Sequence, residues 1–267
     1  MAATLPPFPG TTGKRDWRTA FDAIRKLLAN GDDTTQVFRI MRALNVGATP
    51  KSYAQFIATD EGGRMAYERV ELAKVFAEPG YAQQFAPGTV GAAYAQFLES
   101  TGYSADGLAE ISKINREEEM LHPYAWFGRR VRDTHDIWHI LTGYQADESL
   151  GEAALVAFSY AQVGGLGWAF IAAAAALKSL KVTGNRLFAK AVWEGYRLGK
   201  KAQWLPAEDY EKLMAEPIDA ARARLGLVEP IAYRTAQREL GPQMASYLSQ
   251  RREENGVATA AGERLAA

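Results

Sequence analysis

Apolar residues recur at spacings of three and four along most of the chain, which is the pattern of amphipathic α-helices. The first stripe comprises Trp17, Ala20, Phe21, Ile24, Leu27 and Leu28. A turn over residues 30–33 follows, and the second stripe comprises Val37, Ile40, Met41 and Leu44. Asp33 or Thr34 can supply the N-cap of this second helix. Further helices are predicted over Met65–Phe76 and Val90–Leu98, after a break at Gly62-Gly63.

The chain contains no stretch in which apolar and polar residues alternate as they do in a half-buried strand. We therefore predict an all-α protein, a single-domain bundle of roughly nine to eleven helices with a metal site between two adjacent helices. Residues 1–14, rich in Pro, Gly and Thr, are expected to form a flexible arm, and residues 15–250 the helical domain. Residues 251–267 are expected to be a disordered tail.

The composition excludes several kinds of chemistry. The chain has no cysteine, which excludes disulfides, thiolate zinc sites, iron–sulfur clusters and cysteine nucleophiles. Lys+Arg and Asp+Glu both number 31, so the formal net charge is zero, and binding to nucleic acid is not expected. The N-terminal segment has neither the apolar core of a signal peptide nor an Arg/Ser-rich stretch, so we expect a cytoplasmic location.

The histidines point to a metal. The sequence has only 3, so any imidazole chemistry must use His122, His135 or His139. Because His135 and His139 are four residues apart, a helix places them one turn apart on the same face, close enough to share one ion. On one continuous helix, Arg132 and Asp136 fall on that same side, and apolar residues occupy the opposite side.

Glu152 is the predicted partner of this pair. Gly143 ends the histidine helix, and a short turn leads to Glu152 at the start of the next apolar helix. An antiparallel return after so short a loop would place Glu152 near His135 and His139. Two histidines with one or two carboxylates form a ligand set for zinc, for ferrous iron or for another divalent transition metal.

Structural alternatives exist for each of these residues. A surface ion-pair patch would also place two histidines beside Asp136. The run Ser149-Leu-Gly-Glu152 fits a capping box, in which Glu152 would only tie back to the start of its own helix. His122, which precedes Pro123, is expected to be a loop or core histidine and not a ligand.

Two familiar metal motifs do not match. The zinc-protease signature requires Glu directly after the first histidine, where this chain has Asp136, so peptidase activity is not expected. A phosphohydrolase of the His-Asp type could use His122, His135, Asp136 and Asp147. That arrangement would leave His139 and Glu152 without a role.

The motif resembles that of the ubiquinone biosynthesis protein 4 family (coenzyme Q protein 4). The family hallmark is His-Asp-x-x-His followed by a glutamate, commonly within Leu-Gly-Glu. This chain has His135-Asp136-Ile-Trp-His139 and then Leu150-Gly151-Glu152, with one residue more between the two elements than is usual in the family. The likeness extends over roughly residues 20–230 and includes Asp60-Glu-Gly-Gly-Arg64 and the helix around Trp193.

The resemblance implies an all-helical, membrane-peripheral protein of ubiquinone assembly whose metal is held by His135, Asp136, His139 and Glu152. It implies a decarboxylase-like lyase that replaces the ring carboxylate of a polyprenylated hydroxybenzoate by hydroxyl. From its place on the histidine side of the helix, Arg132 is either the catalytic residue that pairs with that carboxylate or an arginine in a surface ion pair. The resemblance also implies other quinone-biosynthesis proteins as partners and a location on the inner face of the cell membrane. A non-catalytic scaffold that binds the isoprenoid lipid is the alternative, and a homodimer is compatible with both.

The stretch Ala153–Leu177 carries no charge over 25 residues. Its length would allow a membrane span, but its many alanines, Gln162 and the cluster Gly164-Gly165-Leu-Gly167 favour two buried helices joined at the glycines. Aromatic residues around the motif are either core residues or the lining of an apolar groove for a prenyl chain. They are Trp126, Phe127, Trp138, Trp168 and Phe170.

Overall fold

The computed structural model describes residues 13–31, 33–104 and 122–242. Within these ranges the secondary structure is helical and contains no β-strand, which confirms the predicted all-α fold. An isolated antiparallel bridge joins Thr89 and Pro217. The predicted tail over 251–267 and nearly all of the predicted arm over 1–14 lie outside the described residues.

The described ranges contain fourteen α-helices, more than the predicted nine to eleven, because several of them span only one or two turns. In chain order they are α1 (Trp17–Ala29), α2 (Thr34–Leu44), α3 (Ala48–Ile57), α4 (Asp60–Glu68), α5 (Leu72–Phe76), α6 (Val90–Thr101), α7 (Pro123–Asp133), α8 (His135–Thr142), α9 (Ser149–Val163), α10 (Leu166–Thr183), α11 (Leu187–Lys201), α12 (Tyr210–Leu213), α13 (Ile218–Arg224) and α14 (residues 231–242). Two 3₁₀ turns cover Ala82–Gln84 and Leu205–Ala207.

The boundaries around α4 differ from the prediction. Gly62 and Gly63 lie inside this helix and do not break it. A Cβ on Gly62 would come within 2.0 Å of the Phe56 carbonyl oxygen, so glycine is needed there for the close approach of α3. The predicted helix over Met65–Phe76 is instead divided between α4 and α5, because Arg69 adopts a left-handed conformation with φ 50°.

Helix α9 lies at the centre of the core and packs closely against α11. A Cβ on Gly195 would lie 2.4 Å from the Ala154 carbonyl oxygen, and one on Gly199 would lie 2.7 Å from that of Phe158. The two glycines, one turn apart, let the backbones of α9 and α11 approach each other. Leu155 and Phe158 of α9 are fully buried, and such burial stabilises by about 1.5–3 kcal/mol per side chain.

The long uncharged stretch forms two helices, as predicted. Gly164 (φ 68°) and Gly165 (φ 89°) separate α9 from α10. Helix α9 is buried, as predicted. The prediction that the second helix is also buried is wrong, because only 22% of the residues of α10 are buried and Leu177 is 61% exposed. The N-terminal half of α10 buries Gly167, Ile171 and Ala172, whereas its C-terminal half exposes Leu177, Leu180 and Val182. By length and composition alone, α10 is long and apolar enough to cross a membrane.

Three of the five aromatic residues around the motif belong to the core. Trp126, Phe127 and Trp138 are each no more than 2% exposed. The indole Nε1–H of Trp138 donates to the Tyr210 hydroxyl at 2.5 Å, so its polar atom is satisfied inside the protein. These three side chains fill space between helices and do not line a groove.

Candidate metal centre

The histidine pair occupies a short helix of its own. Helix α7 ends at Asp133, Thr134 follows with φ −94° and ψ −1°, and α8 begins at His135. Gly143 ends α8 in a left-handed conformation, as predicted, and its N–H donates to the His139 carbonyl at 2.8 Å. The spacing argument therefore holds for His135 and His139, which share one helix, with ring centroids 4.8 Å apart.

His139 is deeply buried and has a fixed tautomer. Its side chain is 1% exposed, and Phe97 of α6 stacks on the ring with centroids 6.3 Å apart. The Nδ1 atom lies 2.9 Å from the Tyr144 carbonyl oxygen. Because a carbonyl only accepts, Nδ1 must carry the hydrogen, and in the neutral ring Nε2 is left with a lone pair. This burial also excludes the surface ion-pair patch as an account of His139.

Glu152, in the first turn of α9, faces both imidazoles. Its Oε1 lies 3.2 Å from His139 Nε2, and its Oε2 lies 4.0 Å from His135 Nε2. The capping-box alternative is wrong, because Glu148 is the N-cap residue and the Glu152 N–H donates to the Glu148 carbonyl at 3.1 Å. Ser149 is inside the helix, so the Glu152 carboxylate is directed to the histidines instead of to the helix start.

Two buried ring nitrogens here have no hydrogen-bond partner: His135 Nδ1 and His139 Nε2. For His139, a lone pair faces a carboxylate oxygen at close range without a hydrogen bond, an arrangement that a cation between them would satisfy. One ligand atom from each of His135, His139 and Glu152 lies within 4.8 Å of the others. In a four-coordinate zinc site ligand atoms are about 3.4 Å apart, so a small contraction would let these three hold a metal ion.

The electrostatics favour charge separation between the rings and the acid. Burial lowers the pKa of His135, but the Asp136 and Glu152 carboxylates outweigh it, and the net effect is a raised pKa. Burial likewise opposes ionisation of Glu152, but His139 and His135 lower its pKa overall. The pocket thus stabilises a positive charge next to an ionised carboxylate, which is also what a bound cation requires.

Asp136 and Arg132 stand apart from the three clustered residues. The Asp136 carboxylate lies 3.6 Å from His135 Nδ1, whereas Glu152 faces the other nitrogen of that ring. Asp136 is not a member of the group that could share one ion. Arg132 pairs with Asp133, with 2.6 Å between Nη2 and Oδ1. The prediction that Arg132 shares a side with the histidines assumed one continuous helix. Because the helix is interrupted at Thr134, that assumption does not hold.

His122 has a structural role, as predicted. It is the N-cap of α7, where its Nδ1 accepts from the Tyr124 N–H at 3.2 Å. Asp147 is exposed in the loop between α8 and α9. Neither residue joins the histidine–glutamate group, so the set required by the phosphohydrolase alternative is not assembled among the described residues. The Tyr144 carbonyl, which accepts from His139, could not be predicted from sequence, because every residue has a main-chain oxygen.

Comparison with known proteins gives one consistent result. The family described as Coenzyme Q (ubiquinone) biosynthesis protein Coq4 matches residues 23–231. Among curated relatives, mitochondrial ubiquinone biosynthesis protein COQ4 of Scheffersomyces stipitis is 25% identical over 189 residues, 69% of this chain and 56% of its own length. The coq4 protein of Pyrenophora tritici-repentis is 31% identical over 195 residues, 67% of this chain and 60% of its own. The chain thus spans less than two thirds of either relative.

A solved structure shares the fold. A chain from Nostoc punctiforme PCC 73102, assigned to ubiquinone biosynthesis, superposes with a TM-score of 0.57 at 19% sequence identity. The match covers 80% of this chain and 99% of the other. At that identity the comparison concerns the arrangement of helices alone.

Proposed function

This chain belongs to the coenzyme Q (ubiquinone) biosynthesis protein Coq4 family, and from that premise we propose that it is a metal-dependent enzyme of ubiquinone assembly. The observation that carries the proposal is the cluster of His135, His139 and Glu152, in which a buried imidazole nitrogen faces a carboxylate without a hydrogen bond. Buried polar atoms of this kind need a partner, and the donor set suits a divalent transition metal such as zinc or ferrous iron.

The proposed reaction replaces the ring carboxylate of a polyprenylated hydroxybenzoate by hydroxyl. The bond between the ring and the carboxylate carbon breaks and carbon dioxide leaves. One oxygen atom of dioxygen forms the new hydroxyl, and the other is reduced to water with two electrons and protons from an external reductant. A bound divalent metal would supply Lewis acidity towards the phenolate and carboxylate oxygens.

The residues of this chain have separate roles in the proposal. His139 and His135 present Nε2, and Glu152 presents its carboxylate, as the metal ligands. The Asp136 carboxylate lies 3.6 Å from His135 Nδ1 and acts on that ring through its charge, without a hydrogen bond. Arg132 remains the candidate for binding the substrate carboxylate, and Asp133 is its partner in the absence of substrate.

The exposed face of α10 supports a peripheral position on a membrane surface. Phe170 packs edge-on against Trp17 and Phe21 of α1, with centroids 6.0 and 5.2 Å apart, and both α1 residues are about half exposed. Leu177 continues the same face of α10, and α10 also exposes Lys181. Exposed aromatic and aliphatic side chains beside cations are typical of surfaces that lie on an anionic bilayer.

A non-catalytic scaffold that binds the isoprenoid lipid and presents it to other quinone-biosynthesis proteins is the second candidate. The outward apolar face of α10 favours it, because such a face can bind lipid without any chemistry at the histidines. A homodimer through this face would serve either role.

The deciding experiment measures metal content and turnover in one protein preparation. Purified protein is analysed for bound metal and incubated with a prenylated hydroxybenzoate, dioxygen and a reductant, and released carbon dioxide is quantified. We expect His139→Ala to lose both metal and turnover, and Tyr67→Phe, at a 90% exposed position on α4, to retain both. Equal turnover by metal-stripped and metal-loaded protein would overturn the proposed metal dependence, and absence of turnover in both would overturn the enzymatic proposal. Unchanged lipid binding in His139→Ala would then favour the scaffold.

A further inference from the structure

The peptide group between Tyr144 and Gln145 is held from both sides. Its carbonyl oxygen accepts from His139 Nδ1–H at 2.9 Å, and its N–H donates to the Tyr233 hydroxyl, also at 2.9 Å. The Tyr233 hydroxyl in turn donates to Glu148 Oε1. A continuous chain of hydrogen bonds therefore runs from the Glu148 carboxylate, through a phenol and one peptide group, to the imidazole whose Nε2 faces the candidate metal position.

The three hydrogen bonds all point the same way, with each donor on the His139 side and each acceptor on the Glu148 side. Burial, reinforced by the Glu148 carboxylate, raises the pKa of Tyr233, so the phenol keeps the proton that it donates. A hydroxyl that donates to a carboxylate is a stronger acceptor for the Gln145 N–H, which in turn polarises the Tyr144 carbonyl. A more polar carbonyl holds His139 Nδ1–H more firmly and makes Nε2 a more basic ligand.

The outer end of the chain is rigidly placed by α14. The Glu194 carboxylate of α11 accepts from the main-chain N–H groups of Ala232 and Tyr233, both at 3.0 Å, and so fixes the start of this helix. One turn further along, Gln237 Nε2 donates to Gln145 Oε1 at 2.7 Å. The rings of Tyr144 and Tyr233 meet edge to face, with centroids 4.9 Å apart. Tyr233 lies just beyond the residues, 23–231, that match the family.

We propose that Tyr233 and Glu148 are positioning residues of the metal centre, which set the orientation and basicity of His139 Nε2 through the Tyr144–Gln145 peptide group. The inference rests on the proposed function for its metal, whereas the hydrogen bonds that link Glu148 to His139 do not depend on that proposal. Side chains that orient a histidine ligand from outside typically change metal affinity by about 10- to 100-fold. Because Tyr233 acts through a peptide group, we expect an effect at the lower end of that range.

The test compares Tyr233→Phe and Glu148→Gln with wild type, by competition titration of zinc and of cobalt(II). Tyr233→Phe keeps the ring against Tyr144 but removes the hydroxyl, and we expect about tenfold weaker binding. Glu148→Gln keeps an acceptor but removes its charge, and we expect a smaller loss of about threefold. Tyr196→Phe is the matched control, because this partly buried tyrosine of α11 stacks on Tyr160, and the variant should bind metal as the wild type does.

A second readout separates positioning from a general loss of structure. In metal-free, ¹⁵N-labelled protein the His139 Nδ1–H proton should give a downfield signal that moves upfield in Tyr233→Phe and stays in place in Tyr196→Phe, with melting temperatures within about 5 °C. An unmoved signal in Tyr233→Phe, or zinc affinity within twofold of wild type, would overturn the inference. Failure of wild-type protein to bind either metal would overturn the proposed function instead, and the proton signal would then decide the hydrogen-bond chain by itself.

Discussion

Glu152 Oε1 lies 3.2 Å from His139 Nε2, although the two residues belong to different helices and the nitrogen forms no hydrogen bond. The His139 ring cannot turn away, because its other nitrogen donates to the Tyr144 carbonyl. The pair is therefore held in a geometry that a proton or a metal ion between them would satisfy.

Replacement of Glu152 by Gln should weaken zinc binding by about 100-fold or more, because an anionic ligand becomes a neutral amide of the same size. Competition titration with a chromophoric chelator measures the change. The same substitution at Glu148 should have a much smaller effect, since that carboxylate is not one of the clustered residues and reaches His139 only indirectly, by way of side chains such as Tyr233. Equal losses at the two positions would argue against Glu152 as a ligand.

Two glycine substitutions should have opposite effects on stability, one at the close contact between α9 and α11 and one at an exposed position of α7. Gly199→Ala should destabilise the protein by about 1–3 kcal/mol, because the new methyl group would lie 2.7 Å from the Phe158 carbonyl oxygen. Gly128→Ala, at an exposed position within α7 with nothing within 4 Å, should stabilise it by about 0.5–1 kcal/mol. Urea unfolding of both variants checks the pair. A neutral Gly199→Ala would show that α9 and α11 can separate freely.

Asp209, which lies outside the histidine–glutamate cluster, should make the stability of the fold depend on pH. Burial raises its pKa, but Lys212 and Arg64 outweigh this and lower it below the ordinary 3.8. A carboxylate with a lowered pKa stabilises the fold at pH above its unfolded value, and that stabilisation is lost as pH falls through the folded value. Asn keeps the oxygen that accepts from the Lys212 N–H but loses the charge that faces Lys212 and Arg64. Asp209→Asn should therefore cost about 1 kcal/mol at pH 7 and progressively less below about pH 4.

Thermal unfolding of wild type and Asp209→Asn across pH 3–7 measures this difference. Asp219→Asn, whose carboxylate is 94% exposed, serves as the comparison and should show little change over the range. If the difference in melting temperature between wild type and Asp209→Asn grew towards low pH, the lowered pKa of Asp209 would be contradicted.

The apolar face of α1 and α10 should govern vesicle binding. Phe21→Glu and Leu177→Glu each place a charge on a half-exposed or largely exposed apolar position, so both should weaken sedimentation with anionic vesicles by about tenfold. Tyr67→Glu, on α4, should leave vesicle binding unchanged. If all three variants sediment as the wild type does, the membrane-facing role of this surface is excluded.

Much of the local structure could be predicted from sequence because it depends on short spacings. The end of α8 at Gly143 and the division of the apolar stretch at Gly164-Gly165 follow from residues with backbone freedom that other side chains lack. The helix over Met65–Phe76 was predicted wrongly, because Arg69 adopts a positive φ that its residue type does not favour. No glycine or proline marks the break between α7 and α8 at Thr134, so it could not be predicted.

The sequence by itself determined which groups could meet at the candidate site: two histidines one turn apart and a glutamate after a tight bend, whose spacing along a helix is set by 3.6 residues per turn. Only the tertiary structure decided how they meet. It turned Glu152 towards the rings and brought Tyr233 to Gln145, 88 residues away in the chain. Such contacts depend on how whole helices pack, and no local pattern of residues encodes that packing.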